Sequence, residues 1–278
     1  GAGAASEVYR GQGLSLPGGR VECKGEPNDR SNIMPPSFRP HGADIAFLHT
    51  AAIHIATFDA LAREIAPELK LTHVVREDLL NAAEKAGGMT VAISFRTQEA
   101  LIALADGGAR VVVCTCSTLG EEAEKAAGEA DVPVMRIDRP MADRAVREGG
   151  RIGICAALRP TLAPTRALIE SSAARAKRDV EIREFLFDDV WPAFREGRLA
   201  DYHAGIAARL GEAAAHVDLL VLAQASMAPA IPLAGELPVP LLSSPRIGFM
   251  EAARIAGFKG QDVNESATLP LWEGQNLR

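Results

Sequence analysis

Short runs of consecutive apolar residues alternate along this chain with longer, Ala-rich stretches whose apolar positions recur at helical spacing. The runs at 45–48, 71–75, 111–114 and 133–137 have strand length. Between them the pattern predicts helices over 57–64, 78–85, 94–105 and 119–128, and a further helix ending near Gly149-Gly150. In the third of these, Phe95, Leu101, Ile102 and Leu104 read as one apolar side, and Gly107-Gly108 as its stop. The pattern then begins again. Strands are expected at 151–155, 180–187, 219–222 and 239–242, and helices at 160–176, 201–215 and 247–256. Strands that alternate with helices call for parallel sheets joined by right-handed crossovers, an α/β fold.

The two halves resemble each other most where an apolar strand meets a polar tip. Val111-Val112-Val113-Cys114-Thr115-Cys116-Ser117-Thr118 lies over Leu219-Leu220-Val221-Leu222-Ala223-Gln224-Ala225-Ser226, about 108 residues downstream. That interval is too long for a solenoid repeat and fits two copies of one domain. The expected division is an N-terminal extension over 1–42, a first α/β domain over 43–149 and a second over 150–240. The segment 241–278 is expected to return and complete the first. Residues 1–42 are rich in Gly and Pro and lack periodicity. They read as an extended arm, with Met34 before Pro35-Pro36 as a candidate start.

Composition narrows the class. The chain has 278 residues, a formal charge of −6 and 47% apolar residues, which gives no electrostatic footprint for nucleic acid. No apolar run approaches a membrane span. The four cysteines, Cys23, Cys114, Cys116 and Cys155, lack the spacing of a disulfide framework, so a reducing, cytoplasmic setting is expected. No second Cys/His pair accompanies Cys114 and Cys116, so no metal is expected. Dinucleotide and phosphate-loop glycine motifs, a nucleophile elbow and a zinc-protease helix are all missing, and no cofactor is expected.

Candidate chemistry collects at the strand tips, where open parallel sheets bind ligands. Cys116 precedes a helix-like segment, whose N-terminal N–H groups lower a thiol pKa and hold a carboxylate. Ser117 and Thr118 add hydroxyls. Cys114, behind three valines, reads as core. Thr161 opens the helix after the second half's first strand, and Ser226 is the counterpart of Thr118; each is a cleft position and a helix cap alike. Ser243, Ser244, Arg136, Arg139 and Arg159 fall near strand ends, the arginines being candidates to attract an acid. His54, His73, His203 and His216 receive no role.

Cys116-Ser117-Thr118 is similar to the first Cys-Asn-Thr signature of the aspartate/glutamate/hydantoin racemase superfamily, which includes arylmalonate decarboxylases and maleate isomerases. His49-Thr50 resembles that family's first substrate-binding loop. Ala223-Gln224-Ala225-Ser226 stands where the family has Gly-Cys-Thr. The resemblance covers about 43–256 and implies two pseudosymmetric Rossmann-like domains, a cleft site and cofactor-independent chemistry on a small carboxylate-bearing substrate, in a chain that can be a homo-oligomer. It also implies Cys116 as an acid/base thiol. Gln224 replaces the second thiol, and an amide is no base near neutral pH. His49 is then a candidate second base, or a hydrogen-bonding substrate contact beside Thr50. A one-thiol lyase and a silent small-acid binder are the alternatives to a racemase-like isomerase.

Overall fold

The computed structural model describes residues 42–259. The N-terminal extension, with Cys23 and Met34, and the tail after 259 lie outside them. The first half runs β1 (Ile45–His49), α1 (Ile53–Ile65), β2 (Leu71–Val75), α2 (Glu77–Ala86), α3 (Val91–Asp106), β3 (Val111–Cys114), α4 (Gly120–Ala126), β4 (Val134–Arg136) and α5 (Arg139–Glu148). The second runs β5 (Arg151–Ala156), α6 (Leu162–Ala176), β6 (Glu181–Leu186), α7 (Trp191–Arg195), α8 (Leu199–Ala214), β7 (Leu219–Leu222), β8 (Leu241–Ser243) and α9 (Ser244–Ile255). Two four-stranded parallel sheets result, in the orders β2-β1-β3-β4 and β6-β5-β7-β8.

The registers make the repeat explicit. Leu48 pairs with Cys114 across β1 and β3, and Cys155 pairs with Leu222 across β5 and β7. Thr115 N–H donates to Leu48 O, as Ala223 N–H does to Cys155 O. Equivalent positions are therefore His49 and Ala156, Thr50 and Ala157, Thr115 and Ala223, Cys116 and Gln224, and Thr118 and Ser226. The overlay of the two strand tips is thus a spatial one.

Each sheet is buried on both faces, which explains the continuous apolar strands. One face of the first sheet packs on α2, α3 and α4 through Leu79, Leu101 and Ala123. Its other face, with Phe47, packs on Phe58 of α1 and on Phe249, Ala252 and Ala253 of α9. The second sheet lies between α8 with the 3-10 segment Ala225–Leu233 on one side and α5 with α6 on the other. The halves therefore exchange their last helices. Helix α5 follows β4 yet covers the second sheet through Met141, Ala142 and Val146. Helix α9 follows β8 yet covers the first. The expected return of 241–278 is corrected in one respect: β8 pairs with β7 and finishes the second sheet, and only the helix crosses back.

Two further differences have simple causes. Phe95 is exposed, because α3 buries the face carrying Ile93, Thr97, Ala100, Leu101 and Leu104, to which Phe95 does not belong. The segment after β7 contains Pro229 and Pro232, so it winds as a 3-10 helix and not an α-helix.

Gly248 lets α9 approach the first half closely, since a Cβ there would overlap the carbonyl oxygen of Ile137. Backbone cannot rotate aside as a side chain does. Gly248→Ala is expected to destabilise the protein by about 1–3 kcal/mol, measured as a lower midpoint of urea unfolding.

Candidate active site

The loops after β1, β3, β5 and β7 open on a common cavity. Thr50, Thr115, Cys116, Ser117 and Thr118 line it from the first half. Thr161, Gln224 and Ser226 line it from the second, so seven of the eight expected site residues meet here. Its remaining wall is apolar, built from Leu80, Leu158, Trp191 and Phe194, the last two stacked with centroids 4.7 Å apart. No Lys, Arg, Asp or Glu is among the described residues lining it.

Cys116 is 9% exposed and free of any disulfide. It ends the strand in extended geometry, immediately before the 3-10 turn Ser117–Leu119. Burial raises its pKa above the ordinary thiol value, while the Thr50 hydroxyl, the Leu119 and Thr118 N–H groups and the Thr118 hydroxyl pull it down. The sequence expectation of a net lowered pKa is therefore corrected. The donors are there, but a short turn does not outweigh the desolvation of a buried thiol. Cys114 is fully buried, its pKa also driven up by burial, and Cys155 is pushed up to about 12 in the second core.

Gln224 occupies the equivalent place without equivalent chemistry. Its side-chain Oε1 accepts from Ala157 N–H at 2.7 Å and Leu158 N–H at 3.1 Å. This pins the carbonyl end to the loop after β5 and leaves the NH₂ end as a donor. Ser117 Oγ donates to Ala223 O at 2.6 Å, and Thr118 Oγ1 lies 3.4 Å from Thr161 Oγ1. Both contacts tie one lobe to the other. Ser226 Oγ lies 3.0 Å from the buried Tyr202 hydroxyl, and its carbonyl accepts from His203 at 3.0 Å.

His49 is not in the cavity lining. It is 0% exposed, and its Nδ1 lies 2.8 Å from Thr115 Oγ1. Its Nε2 lies 2.8 Å from His73 Nδ1, and His73 Nε2 lies 3.1 Å from Asp59. A side chain two residues from Phe47 on the same face of β1 points under the sheet, where Phe58 stacks on it. Direct attack on a substrate is therefore not what this placement offers. His54, given no role from sequence, lines the cavity from the first turn of α1. The apolar wall was also missed, because Trp191 and Phe194 lie on a five-residue helix too short to show a period.

The arginines expected near the site are engaged elsewhere. Arg136 is buried in a two-bond pair with Asp138 at 2.6 and 3.0 Å. Arg139 pairs with Glu124 and bonds Ser171 and Ser172, and Arg159 is exposed beside Asp188. Ser243 and Ser244 do not reach the cavity. The Ser244 hydroxyl is buried without a partner at the start of α9. Among the described residues, no group of three or more His, Cys, Asp or Glu is arranged to hold a metal ion. No described helix is long and apolar enough to cross a membrane.

No family model matches the sequence, and no curated protein does so either. Solved structures match clearly. Aspartate racemase from Picrophilus torridus is 11% identical, with a TM-score of 0.59 over 78% of this chain and 95% of that one. Glutamate racemase from Francisella tularensis, in complex with D-glutamate, is 15% identical, with a TM-score of 0.58 over 77% and 80%. A liganded variant of arylmalonate decarboxylase is 17% identical, with a TM-score of 0.50 over 79% and 95%. The chain shares the two-lobed α/β fold of these racemase and decarboxylase structures.

Burial holds the pKa of His54 down at about 4 and that of His49 down at about 2. Unfolding releases both to the ordinary imidazole value near 6.5, so below it the unfolded chain binds more protons. Stability should therefore fall as pH drops from about 6.5 towards about 4, with the His49 contribution lost further down. Urea midpoints across this range should show the decline, and His54→Gln should flatten part of it.

Proposed function

We propose that this protein is a cofactor-independent, racemase-like isomerase that moves a proton at the carbon α to a carboxylate, with Cys116 as the acid/base thiol. The carrying observation is the sulfur's setting in an interlobe cavity, with two hydroxyls and two N–H groups directed at it. Removing an α-proton breaks a C–H bond, and its electron pair spreads into the carboxylate as an enediolate. Stabilising that charge requires fixed donors in a dry site. The hydroxyls of Thr50, Thr118, Thr161 and Ser226 and the NH₂ of Gln224 are of that kind. Returning the proton from Cys116 completes the step.

The lining also selects the substrate. Among the described residues no cation lies ready for a second carboxylate and no carboxylate for an ammonium group, while one wall is aromatic and aliphatic. A small acid with an apolar substituent therefore fits better than aspartate or glutamate. In heavy water, such acids should take up deuterium at the α-carbon, followed by proton NMR. Cys116→Ser should lower the rate at least about a hundredfold, as loss of a general acid/base group does. No uptake across a panel of 2-aryl and 2-alkyl acids, or full rate in the variant, would contradict the reading.

A one-thiol lyase is the second reading, favoured specifically by the pinned Gln224. With an amide instead of a base at the position equivalent to Cys116, protonation from the sulfur alone would be confined to one face, as suits decarboxylation of a substituted malonate. Release of carbon dioxide with formation of a single enantiomer, read by chiral chromatography, would select it; a racemic product would exclude it.

A further inference from the structure

We propose that His54 is the base that takes the α-proton, while the Cys116 thiol supplies the proton that replaces it. The inference rests on the reading of this cavity as an α-proton isomerase site and names the second titrating group that reading lacks. Among the described residues lining the cavity, only Cys116 and His54 gain or lose a proton near neutral pH. The rest are threonines, serines, Gln224, Trp191 and apolar side chains. His54 is 8% exposed, and no hydrogen bond to a described residue engages its ring; burial is the one influence that shifts it. Its neighbours are occupied, His49 by Thr115 and His73, and His73 by Asp59.

The repeat explains why this ring reaches the cavity. His54 is equivalent to Thr161, each the fifth residue beyond the equivalent strand ends His49 and Ala156. The backbone takes the same course at both places. His54 N–H donates to Ala51 O at 3.2 Å, and Thr161 N–H donates to Leu158 O at 3.0 Å. In both lobes this turn brings its side chain to the cavity. Thr161 Oγ1 lies 3.4 Å from Thr118 Oγ1 of the other lobe. Exchange of the lobes carries that pair onto His54 and Ser226, which line the cavity as well. The imidazole is thereby assigned to the side of the second lobe's tip, where Gln224 offers no base, and the sulfur to the first lobe's tip.

The resting protonation states suit this division of labour. Burial favours the uncharged form of each group, an imidazole with its pKa pushed down to about 4 and a thiol that keeps its proton. One is ready to accept and the other to give. A substrate carboxylate beside the ring is a negative charge that raises the imidazole's affinity for a proton. The α-C–H bond then breaks as an N–H bond forms on His54, and its electron pair passes into the carboxylate as an enediolate. The Cys116 S–H bond breaks as a new C–H bond forms at the same carbon from the other side. The products are an imidazolium, a thiolate and the substrate acid with inverted configuration, and charge is conserved. A proton passing from the imidazolium to the thiolate through solvent resets the pair.

The first measurement follows one enantiomer of 2-phenylpropanoate in heavy water with the full chain, by proton NMR and chiral chromatography. Two groups on separate sides should give an opposite enantiomer that carries deuterium, while the recovered starting enantiomer keeps its protium. His54→Gln retains size and a hydrogen-bond donor but has no base. It should slow inversion at least about a hundredfold, as loss of a general base does, with KM little changed. Circular dichroism and alkylation of Cys116 by iodoacetamide should match the original, which separates this loss from a loss of fold.

The second measurement needs no turnover. Pivalate, an acid without an α-hydrogen, is added while the imidazole C–H resonance that His54→Gln lacks is followed against pH. The titratable groups nearest this ring are His49 of β1, with its ring 6.0 Å away and bonded to His73 of β2, and Cys116 across the cavity. Pivalate should move the His54 resonance and raise its midpoint above about 4. Full inversion rate in His54→Gln, or pivalate that shifts the Gln224 side-chain amide and not this resonance, would overturn the proposal and leave the isomerase reading in place. A His54 response to pivalate in a protein that exchanges no α-proton would instead put the imidazole at the ligand and refute the reaction itself.

Discussion

The reciprocal exchange of α5 and α9 is the constraint on which the rest of the structure depends. Each helix is made by one half and spent covering the apolar sheet of the other. Neither sheet can be fully buried unless both lobes are present and correctly placed. The cavity is defined by the separation of four strand-tip loops, two from each lobe. That separation is fixed by core packing well away from the loops, and Ser117 donating to Ala223 O and the contact of Thr118 with Thr161 adjust it locally.

Within this frame, the energetics around Cys116 are a contest between two consequences of one location. A strand tip between lobes brings hydroxyls and N–H groups to the sulfur, and it also removes water. Dehydration wins in the resting protein, so the thiol remains protonated. The same dehydration makes those donors effective once a charge is formed, because fixed dipoles act more strongly where water does not compete. A reluctant acid and a set of fixed donors are two aspects of one buried pocket.

Much of this was legible in the sequence because the strands are buried on both faces and the halves repeat. Continuous apolar runs and their polar ends mark Cys116, Ser117, Thr118, Thr161, Gln224 and Ser226 as strand-tip positions. What sequence could not supply was direction. His49 sits one residue from Thr50, yet the strand pleat sends the two side chains to opposite faces, one to the core and one to the cavity. His73 and Asp59 carried no signal, since their partnership with His49 depends on β1 lying beside β2 and on α1 folding over both. Arg136 looked available because a strand end is often solvated; Asp138 two residues on had already claimed it. The last strand was misplaced for a related reason. Its hydrophobicity fits either sheet, and only its pairing with β7 decides.

Gln224 limits which side chains its position accepts. By holding the N–H groups of Ala157 and Leu158, its carbonyl has become part of the backbone's own support. A Gln224→Cys substitution would strip both amides of their acceptor at once, and a thiol is a poor replacement. A symmetrical cleft with a cysteine from each lobe would thus need the neighbouring loop to be rebuilt as well. One amide thus ties the difference between the two lobes to the backbone of the loop after β5.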